Sequence, residues 1–161
     1  MTKILFVCHG NICRSPMAEF VLKDMVKRAG IAEDFEIASA ATSSEELGNP
    51  VYPPARRKLA EYGIGCADKT ARRIRPDDYE YYHLLIGMDE ANMRNMARCF
   101  GGDPEGKLHM LLSFAGESAP VADPWYTRDF QATWRDVNRG CIALLETLRP
   151  EMKGRFKERA K

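Results

Sequence analysis

Along this chain, short continuous apolar runs alternate with segments in which apolar residues recur every three or four positions. Residues 4–7, Ile4-Leu5-Phe6-Val7, are unbroken by any polar side chain, the pattern of a strand buried on both faces of a parallel sheet. Met17, Phe20, Val21 and Met25 then recur at helical spacing until Gly30. Ser15 is placed to cap that helix and Pro16 to take its first position. A second strand is predicted over residues 35–38. A helix follows over 55–62, entered through Pro53-Pro54 and stopped by Gly63. Residues 84–88 predict a third strand, with Asp89 as cap of a helix running to about Arg98. A fourth strand is predicted over 108–113. Phe130, Trp134, Val137, Cys141, Leu144 and Leu148 then mark a long amphipathic helix halted by Pro150. Strands alternating with helices imply an α/β fold whose parallel sheet is covered on both faces.

Composition narrows the classes. With 161 residues the chain predicts a single domain, residues 1–161, long enough to bury on the order of 70% of its unfolded surface without a staple. Its 24 basic and 23 acidic residues leave a net charge of +1, so neither a nucleic-acid partner nor a membrane surface is indicated. The apolar run at the start is too short for a signal peptide, and nothing approaches the ~18 apolar residues of a membrane span. Five cysteines, 8, 13, 66, 99 and 141, are odd in number and lack CxxC pairing. That argues against a disulfide framework and against a zinc site. The expectation is a cytoplasmic protein with reduced thiols, no metal and no cofactor, and a monomer. The basic tail over about 151–161 reads as a solvated extension interrupted by Glu158.

Chemistry concentrates in the stretch VCHGNICRSP, residues 7–16, between the first strand and the first helix. A loop at that junction presents backbone N–H groups and the positive end of a helix dipole, which together favour a bound anion. Gly10 lets such a loop turn tightly, and Asn11 tolerates left-handed backbone. Arg14 offers a planar fork that matches two phosphate oxygens. At the rim of the same cradle, Cys8 is favoured as a thiolate, a nucleophile facing an electrophilic phosphorus. Ser15 has two readings, helix cap and hydrogen-bond donor to the sulfur. The spacing of Cys8 and Arg14 alone carries little, because Cys66 and Arg72 share it in CADKTAR without glycine or a preceding strand.

VCHGNICRSP resembles the signature of the low-molecular-weight protein tyrosine phosphatases. The resemblance implies a flavodoxin-like fold, a four-stranded parallel sheet in order 2-1-3-4, and hydrolysis of phosphotyrosine proteins and small aryl phosphates through a phosphocysteine. It assigns Cys8 as nucleophile, Arg14 as phosphate clamp, and His9, Gly10, Asn11, Ile12 and Cys13 to the phosphate-binding loop. Ser15 would activate the thiol and Asn11 would hold the loop's shape. Inorganic phosphate would be product and inhibitor.

An expelled phenolate needs a proton, and Asp123-Pro124-Trp125-Tyr126 matches the family's Asp-Pro-aromatic-aromatic segment. Asp123 is thereby implied as general acid and then general base, with Trp125 and Tyr126 at the pocket entrance. A core position for Trp125 is the plainer alternative. Cys8, Ser39, Asp89 and Asp123 all fall at the carboxyl ends of predicted strands, where open α/β sheets bind ligands. The resemblance places Ser39 and Asp89 in a hydrogen-bond network around Asn11. Met88-Asp89-Glu90-Ala91-Asn92 matches the family's Met-Asp-x-x-Asn segment.

Specificity and its neighbours follow from the same comparison. Ile12 stands where related protein arginine phosphatases are expected to carry threonine, which favours an aryl phosphate over phosphoarginine. A thiol-dependent arsenate reductase of the same fold would need a close cysteine pair after the third strand, where only Cys99 lies. Cys13 is positioned for a reversible disulfide with Cys8. Two features depart from the family: Glu45 and Glu46 replace an aromatic in the wall loop, and Lys69 stands in a segment that lacks the family's histidine and has one extra residue.

Overall fold

The computed structural model describes residues 1–157. Arg159 and Lys161 of the basic tail, with Glu158, lie outside the described residues. Four strands, β1 (Thr2–Cys8), β2 (Phe35–Ala41), β3 (Leu84–Gly87) and β4 (Leu108–Met110), pair in parallel in the order β2-β1-β3-β4. The helices are α1 (Arg14–Arg28), α2 (Pro53–Glu61), α3 (Asp77–Tyr81), α4 (Glu90–Phe100), α5 (Pro124–Thr127) and α6 (Phe130–Leu148). Among the described residues no helix is long and apolar enough to cross a membrane.

The central strand divides the core. Ile4, Phe6 and Cys8 face the layer of α1, α2 and α6, whereas Leu5 and Val7 face Tyr79, Tyr82 and Met96 on the other side. Residues 4–7 are fully buried, so β1 is apolar on both faces, and each side chain contributes roughly 1.5–3 kcal/mol of transfer free energy. Because Cys8 lies in the even-numbered register, its side chain sits on the α1 face, where the following helix begins.

The structure differs from the sequence pattern in several elements, the one-turn α5 after Asp123 among them. The fourth strand ends at Met110, and Leu111–Ala115 form a 3-10 turn rather than more strand. A strand would send Leu111 and Leu112 to opposite faces; the turn buries both. Leu111 meets Gly140 of α6 so closely that a Cβ there would stand 2.5 Å from Leu111 Cγ. The short α3 was not predicted, since five residues cannot display a helical period. It is secured by Asp78, which accepts from the Arg75 N–H at 2.8 Å and pairs with Arg72. The second strand runs on to Ala41, so Ser39 lies within it rather than after it.

At the first helix the predicted cap is also corrected. The helix begins at Arg14, with Cys13 as the capping position and no side-chain cap. Ser15 is already inside the first turn, its hydroxyl drawn inward to Cys8 and Asn11. Pro16 is third in the helix, still among the N–H groups that have no intrahelical partner.

Candidate active site

The loop over residues 9–13 curls around the Cys8 sulfur. Cys8 Sγ lies 3.0 Å from Ser15 Oγ and accepts the backbone N–H groups of Asn11 at 3.3 Å and Ser15 at 3.4 Å. The left-handed turn falls at Asn11, φ 58°, not at Gly10. Gly10 instead lies beneath the Glu46 side chain, where a Cβ would stand 3.4 Å from Glu46 Cγ. Among the described residues, the N–H groups of Gly10, Ile12, Cys13 and Arg14 donate to no protein acceptor. A ring of unpartnered donors at a helix N-terminus is a site for an anion.

Asn11 is fully engaged. Its Oδ1 accepts from the Arg72 N–H at 3.3 Å, and its Nδ2 donates to Ser15 Oγ at 2.8 Å and Ser39 Oγ at 2.9 Å. Arg72, set aside in the sequence as part of a chance spacing, therefore matters through its backbone. Ser39 stands in the asparagine network as expected. Asp89 does not; it belongs to the arginine.

The Arg14 guanidinium is 3% exposed and donates from one nitrogen, Nη1, to Asp89 Oδ2 at 2.7 Å and to the Val121 carbonyl at 3.0 Å. Nη2 reaches Asp123 Oδ2 only at 3.4 Å, and Nε has no protein acceptor among the described residues. Burial opposes its charge, but Cys8 beside it and the bond to Asp89 outweigh this and hold its pKa above the usual arginine range. One edge of the fork is thus anchored, while the other is held loosely enough to turn to two oxygens of an anion.

Asp89 performs both roles considered for it. Its Oδ1 accepts the Asn92 N–H at 2.8 Å while Asn92 Oδ1 accepts the Asp89 N–H, a reciprocal cap of α4, and Oδ2 serves Arg14. Asp123 is presented by a loop fixed at Val121, whose N–H donates to the Met88 carbonyl at 2.9 Å. Asp123 Oδ1 caps α5 by accepting from the Trp125 N–H at 3.0 Å, leaving Oδ2 toward Arg14.

One cleft is lined by Cys8, His9, Gly10, Ile12, Cys13 and Arg14 from the loop, Glu45 and Glu46 from the wall, and Asp123, Trp125 and Tyr126 from the opposite side. Trp125 is 42% exposed and Tyr126 82%, so neither is a core aromatic. His9, which had no evident partner in the sequence, contacts Glu45 at 3.0 Å on the exposed rim. Cys13 is buried beneath the loop, where burial and the neighbouring Cys8 and Asp123 push its thiol up to about 12. All five cysteines are free. Among the described residues no group of three or more His, Cys, Asp or Glu is placed to hold a metal.

Several supports escaped the sequence reading. Tyr52 packs at 5.0 Å against Trp125, its hydroxyl accepts from Arg128 at 3.0 Å, and its N–H donates to the Ile12 carbonyl at 2.8 Å. Arg128, left-handed at φ 59°, lies over the Trp125 ring. These contacts join the anion loop to the aromatic wall across long sequence separations, and no local motif signals them. Glu19 and Lys69, behind Ser39, form the other unforeseen support.

The family described as low molecular weight phosphotyrosine protein phosphatase matches residues 3–154. The chain belongs to this family. It is 31% identical over 153 residues to the low molecular weight protein-tyrosine-phosphatase YfkJ of Bacillus subtilis, covering 94% of this chain and 98% of the relative. To the low molecular weight phosphotyrosine protein phosphatase of Homo sapiens it is 34% identical over 148 residues, 89% of this chain and 93% of that one. The crystal structure of YfkJ superposes with a TM-score of 0.90 over 95% of this chain and 98% of its own. The structure of a drosophila arginine phosphatase superposes with a TM-score of 0.83 at 27% identity, over 92% of this chain and 98% of its own. The flavodoxin-like sheet order expected from the resemblance is the one observed.

Proposed function

We propose that this chain hydrolyses phosphotyrosine in proteins, and small aryl phosphates, through a phosphocysteine on Cys8. The observation that carries the reading is the ring of N–H donors around a buried cysteine, with the half-anchored fork of Arg14 beside it and a carboxyl group across the same cleft. In the first step the Cys8 sulfur attacks phosphorus as the bond from phosphorus to the phenolic oxygen breaks, and Asp123 gives its proton to that oxygen. In the second, Asp123 accepts a proton from water as the water oxygen attacks phosphorus; the S–P bond breaks and phosphate leaves with the thiolate restored. The loop amides and Arg14 stabilise the charge on the equatorial oxygens in both transition states. Phosphate, bound by the same donors, inhibits as product.

Trp125 and Tyr126 suit an aromatic leaving group. Ile12, apolar and nearly buried at the loop, favours a phenyl ring over a guanidinium. Cys99 packs on α4 with the second core cluster, away from the cleft-lining residues, which argues against a multi-thiol arsenate relay. The five free thiols accord with action in the reducing cytoplasm.

The test is a competition among phosphotyrosine, phosphoserine and phosphoarginine peptides, with Cys8→Ser and Asp123→Asn alongside. Phosphotyrosine is expected to be preferred, Cys8→Ser to be inactive, and Asp123→Asn to lose most on poor leaving groups. Preference for phosphoarginine overturns the Ile12 argument. Full activity of Cys8→Ser overturns the mechanism.

A further inference from the structure

We propose that Glu19, paired with Lys23 and Lys69, is a positioning residue that sets the donor direction of a hydrogen-bond chain ending on the Cys8 sulfur; this rests on the reading of Cys8 as nucleophile. Glu19 lies on α1, one turn beyond Ser15, and is buried at 4% exposure. Its Oε1 accepts from the Ser39 hydroxyl at 2.6 Å. Lys23 approaches Oε2 at 2.6 Å, and Lys69, whose side chain is 13% exposed, stands 3.6 Å from Oε1 while donating to the Ser39 carbonyl at 2.8 Å.

The direction follows from which groups can only donate and which can only accept. A backbone N–H only donates, so the side of Asn11 facing Arg72 must be Oδ1, and both hydrogens of Nδ2 point at the serines. An ionised carboxylate only accepts, so Ser39 gives its proton to Glu19 and uses a lone pair for Asn11. Ser15 likewise accepts from Asn11, and its own proton is left for Cys8. The Arg72 N–H and Glu19 impose the same polarity from two ends. A neutral side chain at position 19 that donated to Ser39 would turn the Ser39 proton against Asn11 Nδ2 and favour a flipped amide, with Ser15 then donating to Asn11 rather than to sulfur.

A buried carboxylate near the nucleophile has an opposing effect, because a second negative charge disfavours the thiolate. Lys69 and Lys23 offset it. Burial and the nearby Arg72 and Lys23 work against the Lys69 charge and Glu19 works for it. Cys66, a buried thiol that burial holds up, also feels Glu19. Lys69 sits just after Asp68, whose backbone is left-handed at φ 69°. That segment delivers an ammonium to Glu19.

The two effects predict opposite signs. If Glu19 acted only through its charge, Glu19→Gln would make Cys8 reactive at lower pH. If it sets direction, the same change raises the pH midpoint of Cys8 alkylation by iodoacetamide, by roughly one pH unit, with about a tenfold lower kcat on an aryl phosphate below that midpoint. The midpoint is read by mass spectrometry of the Cys8 peptide, so it requires no turnover. Lys69→Met, in the more accessible partner, is expected to raise it as well, and Lys69→Arg to keep it at the wild-type value. The Glu19→Gln, Lys69→Met double variant is expected to stay raised. An unmoved or lowered midpoint in Glu19→Gln overturns the proposal, as does a double variant restored to wild type. An unmoved midpoint in Lys69→Met overturns it too, which keeps the test decisive if Glu19→Gln does not fold. Hydrolysis by Cys8→Ser at the wild-type rate would instead remove the reading on which the proposal rests.

Discussion

Asp89 holds a helix end with one oxygen and Arg14 with the other, and substitutions can take these roles apart. Asparagine has a single side-chain oxygen. In Asp89→Asn that oxygen can keep the cap on the Asn92 N–H, since Asn caps as well as Asp, but the amide nitrogen then faces Arg14 Nη1, donor against donor. Hydrogen bonds to charged groups contribute about 1.5–3 kcal/mol. Arg14 is 3% exposed and Asp89 26%, so water can replace only part of the lost acceptor. The Val121 carbonyl remains for Nη1. A loss near 2 kcal/mol is the expectation for Asp89→Asn and equally for Asp89→Ser, which caps but does not reach the arginine. Asp89→Ala also removes the cap, adding about 1 kcal/mol for a total near 3. Urea denaturation at neutral pH with equal m-values measures all three. If alanine proves no worse than asparagine, or if asparagine costs less than about 0.5 kcal/mol, the division of labour between the two oxygens is wrong.

Other outcomes follow from the same geometry. Gly140→Ala gains about 1 kcal/mol of helix propensity but drives a methyl into Leu111, costing about 1–3 kcal/mol, so thermal unfolding should come earlier. Burial raises the thiol of Cys141 in the folded state; a raised folded value means its stabilising contribution is complete below the ordinary thiol range, about pH 8.5, and declines as pH rises above it. Denaturant midpoints should therefore fall on the alkaline side, less steeply in Cys141→Ala. Glu45→Gln with Glu46→Gln should reduce kcat/KM severalfold for phosphotyrosine peptides with basic flanks relative to neutral ones, and high salt should erase the difference.

What the sequence revealed and what it hid divide along physical lines. The apolar run of residues 4–7 and the period of residues 130–148 report burial directly, so the sheet and the long helix were readable. The anion loop was readable because its chemistry is local, with nucleophile, arginine and supporting residues inside ten positions. Asp123 became meaningful through its match to the family's Asp-Pro-aromatic-aromatic segment, and the edge shared by strand ends of a parallel sheet supports the same placement independently. The Leu111 turn was hidden because two adjacent buried leucines look like strand, and only contact with Gly140 decides between the readings. The roles of Tyr52, Arg128, Glu19 and the Arg72 N–H depend on tertiary proximity, which no periodicity encodes. Asp89 was misplaced in the asparagine network for a similar reason: its position at the edge was legible, but not which of two nearby polar groups its second oxygen would meet.

Val121 touches both halves of the cleft using only its main chain, its N–H on the end of β3 and its carbonyl on Arg14. The position of Asp123 is therefore referenced to the sheet two residues before it, and not to the path the chain takes from β4. Lengthening or shortening the exposed stretch over residues 118–120 should leave the carboxyl group in register, so this segment is free to diverge, to accept an inserted tag, or to acquire a docking sequence without retuning the cleft.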